Sequence, residues 1–307
     1  MISSRTKLFH LTGSRTSLLA LFLCASLACE SADRLSPSTP DGGRFAAPST
    51  GSSGIPFGAF AQPISLYGQT YTGGLLNPEN PDNLLSQLAA IRAAKARVVL
   101  TFPGSSARYT NPDGTFNFDF WKARLDRYAA VDFESFVSDG TIVGIYLIDE
   151  PSCASCWGGQ VIPQDMVEAM AQYSKSLWPE MKTIARVDPT WLDDYSGEYL
   201  NLDAGWAQYV VRKGDVATYL SANVAAARSK GLALIVGLNV LGGGLNQTSL
   251  SASQVKDFGS ALLADPYACA FISWKYDAAY FARTDIKSAM ALLSKKAKRH
   301  ASTSCAG

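Results

Sequence analysis

Histidine is almost missing from this chain: only His10 and His300 occur in 307 residues. One lies in the first few residues and the other in the last few, so the body of the chain offers no imidazole. That removes a Ser-His-Asp triad, a Cys-His pair, and zinc or iron held by histidine. A Walker-type loop is also missing, so phosphoryl transfer on the usual plan is not expected. Nor is there a charge imbalance, since 27 basic residues face 26 acidic ones. The one basic cluster, KKAKRH at residues 295–300, reads as a solvated helix end, and nucleic acid is not an expected partner. No stretch of about 18 apolar residues appears, so no membrane-spanning helix is expected. No internal repeat is visible. Whatever chemistry occurs must use carboxylates, Tyr, Arg or Lys.

What is present begins with an export pattern. Arg5, Lys7 and Arg15 precede an apolar run, Leu18 to Leu23, and small residues follow. Two processing readings compete. Ser26-Leu27-Ala28 fits cleavage after a small residue. The same residues followed by Cys29 resemble a bacterial lipobox, with Ser26 where Leu is usual; Cys29 would then carry the lipid. Residues 29–53 are rich in Ser, Pro, Gly and Thr, a composition suited to a flexible tether. The expected organisation is a signal segment over 1–28, a linker over 29–53 and one domain over 54–307. The protein is expected to be exported, either secreted or held at a bacterial envelope only by that lipid, and to be a monomer.

Export favours disulfides. Outside the signal region Cys153, Cys156, Cys269 and Cys305 remain, and three pairings are possible. Cys153–Cys156 would staple a short loop. Cys269–Cys305 would join the start of the last strand to the tail. A zinc reading of Cys153-x-x-Cys156 needs two more ligands, and none lie nearby in sequence. No metal or other cofactor is expected.

The mature domain alternates short apolar runs with longer helical patterns, which argues for a parallel sheet of βα units. Strands are predicted at 57–62, 97–102, 142–148, 183–187, 204–210, 233–238 and 270–274. Helices are predicted at 81–95, 118–138, 163–177, 215–229, 252–263 and 285–296, with Ser251 and Thr284 as N-caps and Gly231 as a C-cap glycine. Seven strands are one short of a closed α/β barrel, and residues 64–76 can hide an irregular second strand. The fold class expected is therefore a single (β/α)8 TIM barrel. An open doubly wound sheet is the alternative, but GAFAQP after the first strand is not a phosphate turn.

The strand at 142–148 ends in Asp149-Glu150-Pro151. Two adjacent carboxylates after an apolar strand are costly unless solvated or used. Adjacent strand residues point to opposite sides, so one of the pair should face the barrel axis and the other the helices or a loop. A purely structural account has Asp149 capping the next segment and Glu150 paired with Arg108 or Arg186.

The segment GIYLIDEP resembles the fourth-strand signature of (β/α)8-barrel glycoside hydrolases of the clan A type. The likeness of general layout runs over the whole domain, but its specific motif is only these residues. It implies Glu150 as general acid/base acting on a poly- or oligosaccharide. A second carboxylate should then lie about 5 Å away for retention or about 6.5–9.5 Å away for inversion. The clan's nucleophile Glu would end the next-to-last strand, where LALIVGLN places Asn239. Asp188 and Asp277 follow other strands and are the candidate bases, with Asp149 beside Glu150. Asp203 precedes its strand and should lie on the bottom face. The alternative is a barrel that binds carbohydrate without cleaving it.

Aromatics and amides gather at the remaining strand ends: Trp191, Trp206, Gln208, Tyr209, Asn239, Trp274 and Tyr276. Aromatic faces stack on sugar rings, and amides or Arg bridge hydroxyls. Trp274 resembles the clan's last-strand Trp, which floors the sugar site. Arg108 and Arg186 could hold Glu150 ionised or clamp an acidic sugar. Each aromatic could equally fill core. Gly242–Gly244 reads as a mobile rim loop and CASCWGG as a disulfide-pinned loop, while Trp121 and Trp178 read as packing residues.

Overall fold

A computed structural model describes residues 54–245 and 247–304. Its elements in chain order are β1 (Phe57–Ala59), β2 (Gly73–Leu76), α1 (Leu84–Ala93), β3 (Arg97–Leu100), α2 (Phe118–Asp126), α3 (Glu134–Ser138) and β4 (Ile142–Asp149). Next come α4 (Gln164–Leu177), β5 (Thr183–Arg186), α5 (Pro189–Asp193), β6 (Ala204–Tyr209), α6 (Val216–Ser229), β7 (Ala233–Leu238), β8 (Leu241–Gly244) and β9 (Gln247–Ser249). The chain ends with α7 (Ala252–Leu262), β10 (Ala268–Ser273), α8 (Ala278–Ala282) and α9 (Thr284–Ala297).

Eight parallel strands pair in the order β1-β10-β7-β6-β5-β4-β3-β2. A bridge between Phe60 and Leu75 nearly closes the ring. The architecture is the (β/α)8 TIM barrel that the alternation implied, and the irregular second strand is β2. Its lateness has a cause: a Cβ on Gly58 would sit 1.9 Å from the carbonyl oxygen of Gly73, so β1 and β2 meet backbone to backbone.

Burial on both faces makes the strands continuous apolar runs. One core fills the space between barrel and helices. A second fills the barrel itself, with Phe60, Leu75, Val99, Tyr146, Ile184, Trp206, Ile235 and Ile272 pointing inward. Trp121 and Trp178 belong to the outer core, as expected of packing residues.

Several expectations are corrected. The helix predicted over 118–138 is two helices, α2 and α3. Between them the chain bends so that Tyr128 and Phe133 stack on Phe102 (ring centroids 4.3 and 5.5 Å), and that burial outweighs helical continuity. Thr284 is the first residue of α9 rather than its cap, which is Arg283. The glycine stretch 242–244 is not a free loop but half of the antiparallel hairpin β8–β9. Ser251 does cap α7, in a reciprocal pair with Gln254, and Gly231 follows α6 at φ +61°.

Cys153 and Cys156 form a disulfide. Cys269 is instead a free thiol turned into the bottom of the barrel, in hydrogen-bond contact with Ser304 and beside Arg97; burial pushes its pKa up to about 12. The expected bridge from Cys269 to Cys305 is therefore not made by Cys269. Cys305, Cys29 and the signal and linker regions lie outside the described residues.

Candidate active site

β4 delivers Asp149 and Glu150 to the C-terminal mouth of the barrel, where barrel enzymes place their chemistry. Glu150 adopts φ +42°, the left-handed region that a non-glycine side chain enters at a cost of roughly 1–2 kcal/mol. Its backbone is fixed on both sides. The Glu150 N–H donates to the Arg186 carbonyl at 2.9 Å. The Glu150 carbonyl accepts from the Cys153 N–H at 2.9 Å and from Trp157 Nε1 at 3.1 Å. A backbone so held aims a carboxylate rather than relaxing around it.

Arg186, the last residue of β5, is the hub of the mouth. Its side chain is 5 % exposed and donates to Asp149 Oδ1 in a short ion pair. Its Nη2 lies 3.8 Å from Glu150 Oε1. The guanidinium sits 5.4 Å from the ring centre of Phe60 and 5.3 Å from that of Trp274, and the Tyr146 hydroxyl meets it from below. Burial alone would lower the pKa of Arg186; the carboxylates of Asp149 and Glu150 help reverse the effect, and it is raised. Burial, with help from Asp149, pushes Tyr146 far above the ordinary tyrosine range. So Arg186 stays cationic and Tyr146 stays a neutral hydroxyl.

The expectation that Asp149 and Glu150 face opposite sides is corrected, because both reach Arg186. A register shift between Tyr146 and Ile148 breaks the alternation of β4. Leu147 and Ile148 both pack into the outer core, and Asp149 swings back to the axis. Glu150 keeps a 50 % exposed side chain, so its carboxylate is open to solvent.

Around this hub the barrel presents Trp206, Gln208, Asn239 and Trp274. Phe60 lies 4.9 Å from Trp206 and 5.1 Å from Trp274, ring centre to ring centre. Trp206 Nε1, both amide atoms of Gln208, Asn239 Oδ1 and Gln62 Nε2 have no protein partner among the described residues. Buried polar atoms are normally satisfied, so this concentration of donors and acceptors is where polar ligand atoms would be accommodated. Phe60, Gln62 and Tyr146 were not singled out from the sequence. The period-two pattern of β4 carried Tyr146, but nothing local marked the other two.

Other candidates sit elsewhere. Alternation turns Tyr209 outward, onto Tyr219 and Phe258, with its hydroxyl donating to the Gly214 carbonyl. Tyr276 packs against Phe281, and Trp191 lies in α5 against the outer core. Arg108 is exposed on the loop after β3, with Arg124 as a charged neighbour.

The remaining carboxylates differ in employment. Asp188, on the loop after β5, accepts from Lys213 Nζ at 2.6 Å and from the Tyr219 hydroxyl at 2.5 Å. It lines a cavity of about 560 Å³ between the loops after β5 and β6, shared with Tyr219 and Asn223. Asp277 caps α8 by accepting the Tyr280 N–H at 2.8 Å. Asp277→Ala should therefore cost about 1 kcal/mol in urea denaturation. Asp203 lies at the start of β6, on the bottom face as expected, bound by Lys175 and by the Thr183 N–H. The end of β7 carries Asn239 and no carboxylate.

No protein-family model matches the sequence, and no characterised protein matches it by sequence. Solved structures do share its architecture. An exo-β-1,4-mannosidase from Opitutaceae bacterium strain TAV5 aligns with a TM-score of 0.59 at 13 % identity, over 87 % of this chain and 63 % of the mannosidase. A β-glucanase from Saccharophagus degradans aligns at 0.56 and 12 % identity, over 87 % of this chain and 98 % of the other. The fold is one that glycoside hydrolases use. At such identities the likeness extends to the fold alone, and the chemistry of this mouth must be argued from its own residues.

Proposed function

We propose that the protein binds a poly- or oligosaccharide across the C-terminal mouth and cleaves it with Glu150 as general acid/base. The observation that carries this reading is the Glu150 carboxylate itself: half exposed, and fixed by its backbone beside a buried cation that lies against the rings of Phe60 and Trp274. A glycosidic oxygen needs a proton as it leaves, and in a domain whose single imidazole, His300, lies in the tail after α9, a carboxyl group is the available donor. Trp274, the unpartnered amide of Gln208 and the unpartnered Oδ1 of Asn239 suit the faces and hydroxyls of a sugar. Asp149 holds Arg186 in place. Asp188, one strand along, is the candidate base for an inverting reaction. We further infer export, with Cys29 as the lipid-carrying residue.

A second reading is a barrel that binds glycans without cleaving them, and Asn239 at the β7 end favours it. A glycan screen that measures both binding and release of reducing ends separates the two. Release by the wild type supports the enzyme; binding without release supports the second reading; neither overturns both. Within the first reading, Asp188→Asn should lower kcat on the order of 100-fold with little change in binding. Unchanged kcat removes Asp188 as the base.

A further inference from the structure

The loop that follows Glu150 contains a second constellation. The sequence offered Cys153-x-x-Cys156 without further ligands, but folding supplies one. A carboxylate oxygen of Glu150 and the sulfurs of Cys153 and Cys156 all lie within 4.8 Å of one another. Glu150 and Cys156 are exposed and Cys153 is partly so, which leaves the group open to solvent. The two cysteine Cα atoms are 5.3 Å apart, with Cys153 immediately before the 3-10 turn Ala154–Cys156 and Cys156 at its end.

We propose that reduction of this disulfide creates a binding site for a thiophilic divalent cation, Zn²⁺ or Cd²⁺, held by Cys153 Sγ, Cys156 Sγ and Glu150. The reductant is a dithiol: it delivers two electrons and two protons to the S–S bond and becomes a disulfide itself. The cation then displaces the two thiol protons and takes two thiolates and one carboxylate. A fourth position stays open to water.

The geometry suits this. Zinc bonds run about 2.3 Å to sulfur and about 2.0–2.2 Å to a carboxylate oxygen, and C-x-x-C is a spacing that zinc sites use. Two sulfurs on one tetrahedral zinc lie about 3.8 Å apart, so on reduction the sulfurs, now bonded at 2.04 Å, separate, while the Glu150 oxygen, within 4.8 Å of both, closes only modestly. The loop also has restraints besides its bridge. Cys153 N–H donates to the Glu150 carbonyl, Cys156 N–H to the Cys153 carbonyl, and Gly159 N–H to the Ala154 carbonyl, each at 2.9 Å. Buried Trp157 anchors its far end through Nε1. Opening the S–S bond therefore frees the sulfurs while the backbone turn persists. A cation so bound would occupy Glu150, and the consequence for turnover, alone among these statements, rests on the function proposed above.

The test uses the chain reduced with a dithiol under argon, desalted, and titrated with Cd²⁺ alone. The readouts are thiolate-to-cadmium absorption and calorimetry. One cation per chain is expected in the reduced protein and none in the oxidised protein. Glu150→Gln should weaken binding by more than about 100-fold, beyond the roughly 10- to 100-fold that an outer-shell change costs. Cys153→Ser should abolish the absorption. Equal binding by oxidised and reduced protein overturns the site, and equal binding by wild type and Glu150→Gln removes Glu150 from it. Far-ultraviolet circular dichroism of the reduced protein must match the oxidised form; loss of the fold on reduction also overturns the proposal. No glycan enters this experiment, so a failed glycan screen and a failed cadmium titration are separate results.

Discussion

Glu150→Gln should lower kcat/KM by roughly 10²- to 10⁴-fold on any glycan the wild type cleaves, the range that a positioned general acid supplies. The substitution keeps the side chain's shape and an oxygen to face Arg186 at the 3.8 Å seen for Glu150 Oε1. What it removes is the proton. Three further results should follow from that difference. Unfolding free energy should move by less than about 0.5 kcal/mol, since the side chain is half exposed and its ion pair is long. KM should hold while kcat falls, because the amide still makes ground-state contacts. Substrates with a leaving group that needs no proton should lose much less than natural glycosides. Equal activity in wild type and variant would remove Glu150 from the chemistry and leave a binding surface.

Much of that expectation was legible in the chain because of where Pro151 falls. An apolar strand ending in Asp-Glu-Pro puts carboxylates at a strand terminus, and the βα alternation says which terminus of a barrel that is. Trp206 and Gln208 share the inner face, as residues two apart on a strand must. Period two then determines that Tyr209, next in line, must face the helices; grouping residues by strand end without counting faces admitted it wrongly. Other features were not legible. The register shift at Tyr146 and Ile148 depends on how β4 meets β5, and no local pattern marks it. It brings Asp149 onto Arg186, so the partner of Arg186 could not be named from β4 alone. The left-handed turn at Glu150 is equally hidden, since Glu has no preference for it; the contacts of Arg186, Cys153 and Trp157 impose it. Phe60 and Gln62 follow a three-residue strand too short to show a period.

The other large effect belongs to the opposite end of the barrel. Asp203→Ala should destabilise the protein by about 3 kcal/mol, at the lower end of what breaking a buried ion pair costs. The Asp203 side chain is 5 % exposed and accepts from Lys175 Nζ at 2.9 Å. It also accepts from the Thr183 N–H at 2.8 Å and the Thr183 hydroxyl at 3.1 Å. Truncation leaves the Thr183 N–H without that partner inside the barrel floor, where an unmade bond is expensive. It also strands the Lys175 ammonium, whose side chain is 22 % exposed; partial hydration of that ammonium is why the lower figure applies. Asp203→Asn should cost less, since an amide oxygen can still accept from the backbone. For a domain of this size about 3 kcal/mol lowers Tm by roughly 6–12 °C, measurable by calorimetry. Turnover assayed well below the transition should stay within about twofold of wild type, because surface and remote changes act on the folded fraction rather than on the mouth. The two variants thus form a cross: Glu150→Gln moves rate without stability, and Asp203→Ala moves stability without rate. A reversal, with Asp203→Ala stable but inactive, would transfer the working face to the bottom of the barrel, where Asp203, Lys175 and the buried Cys269 thiol would become the groups to explain.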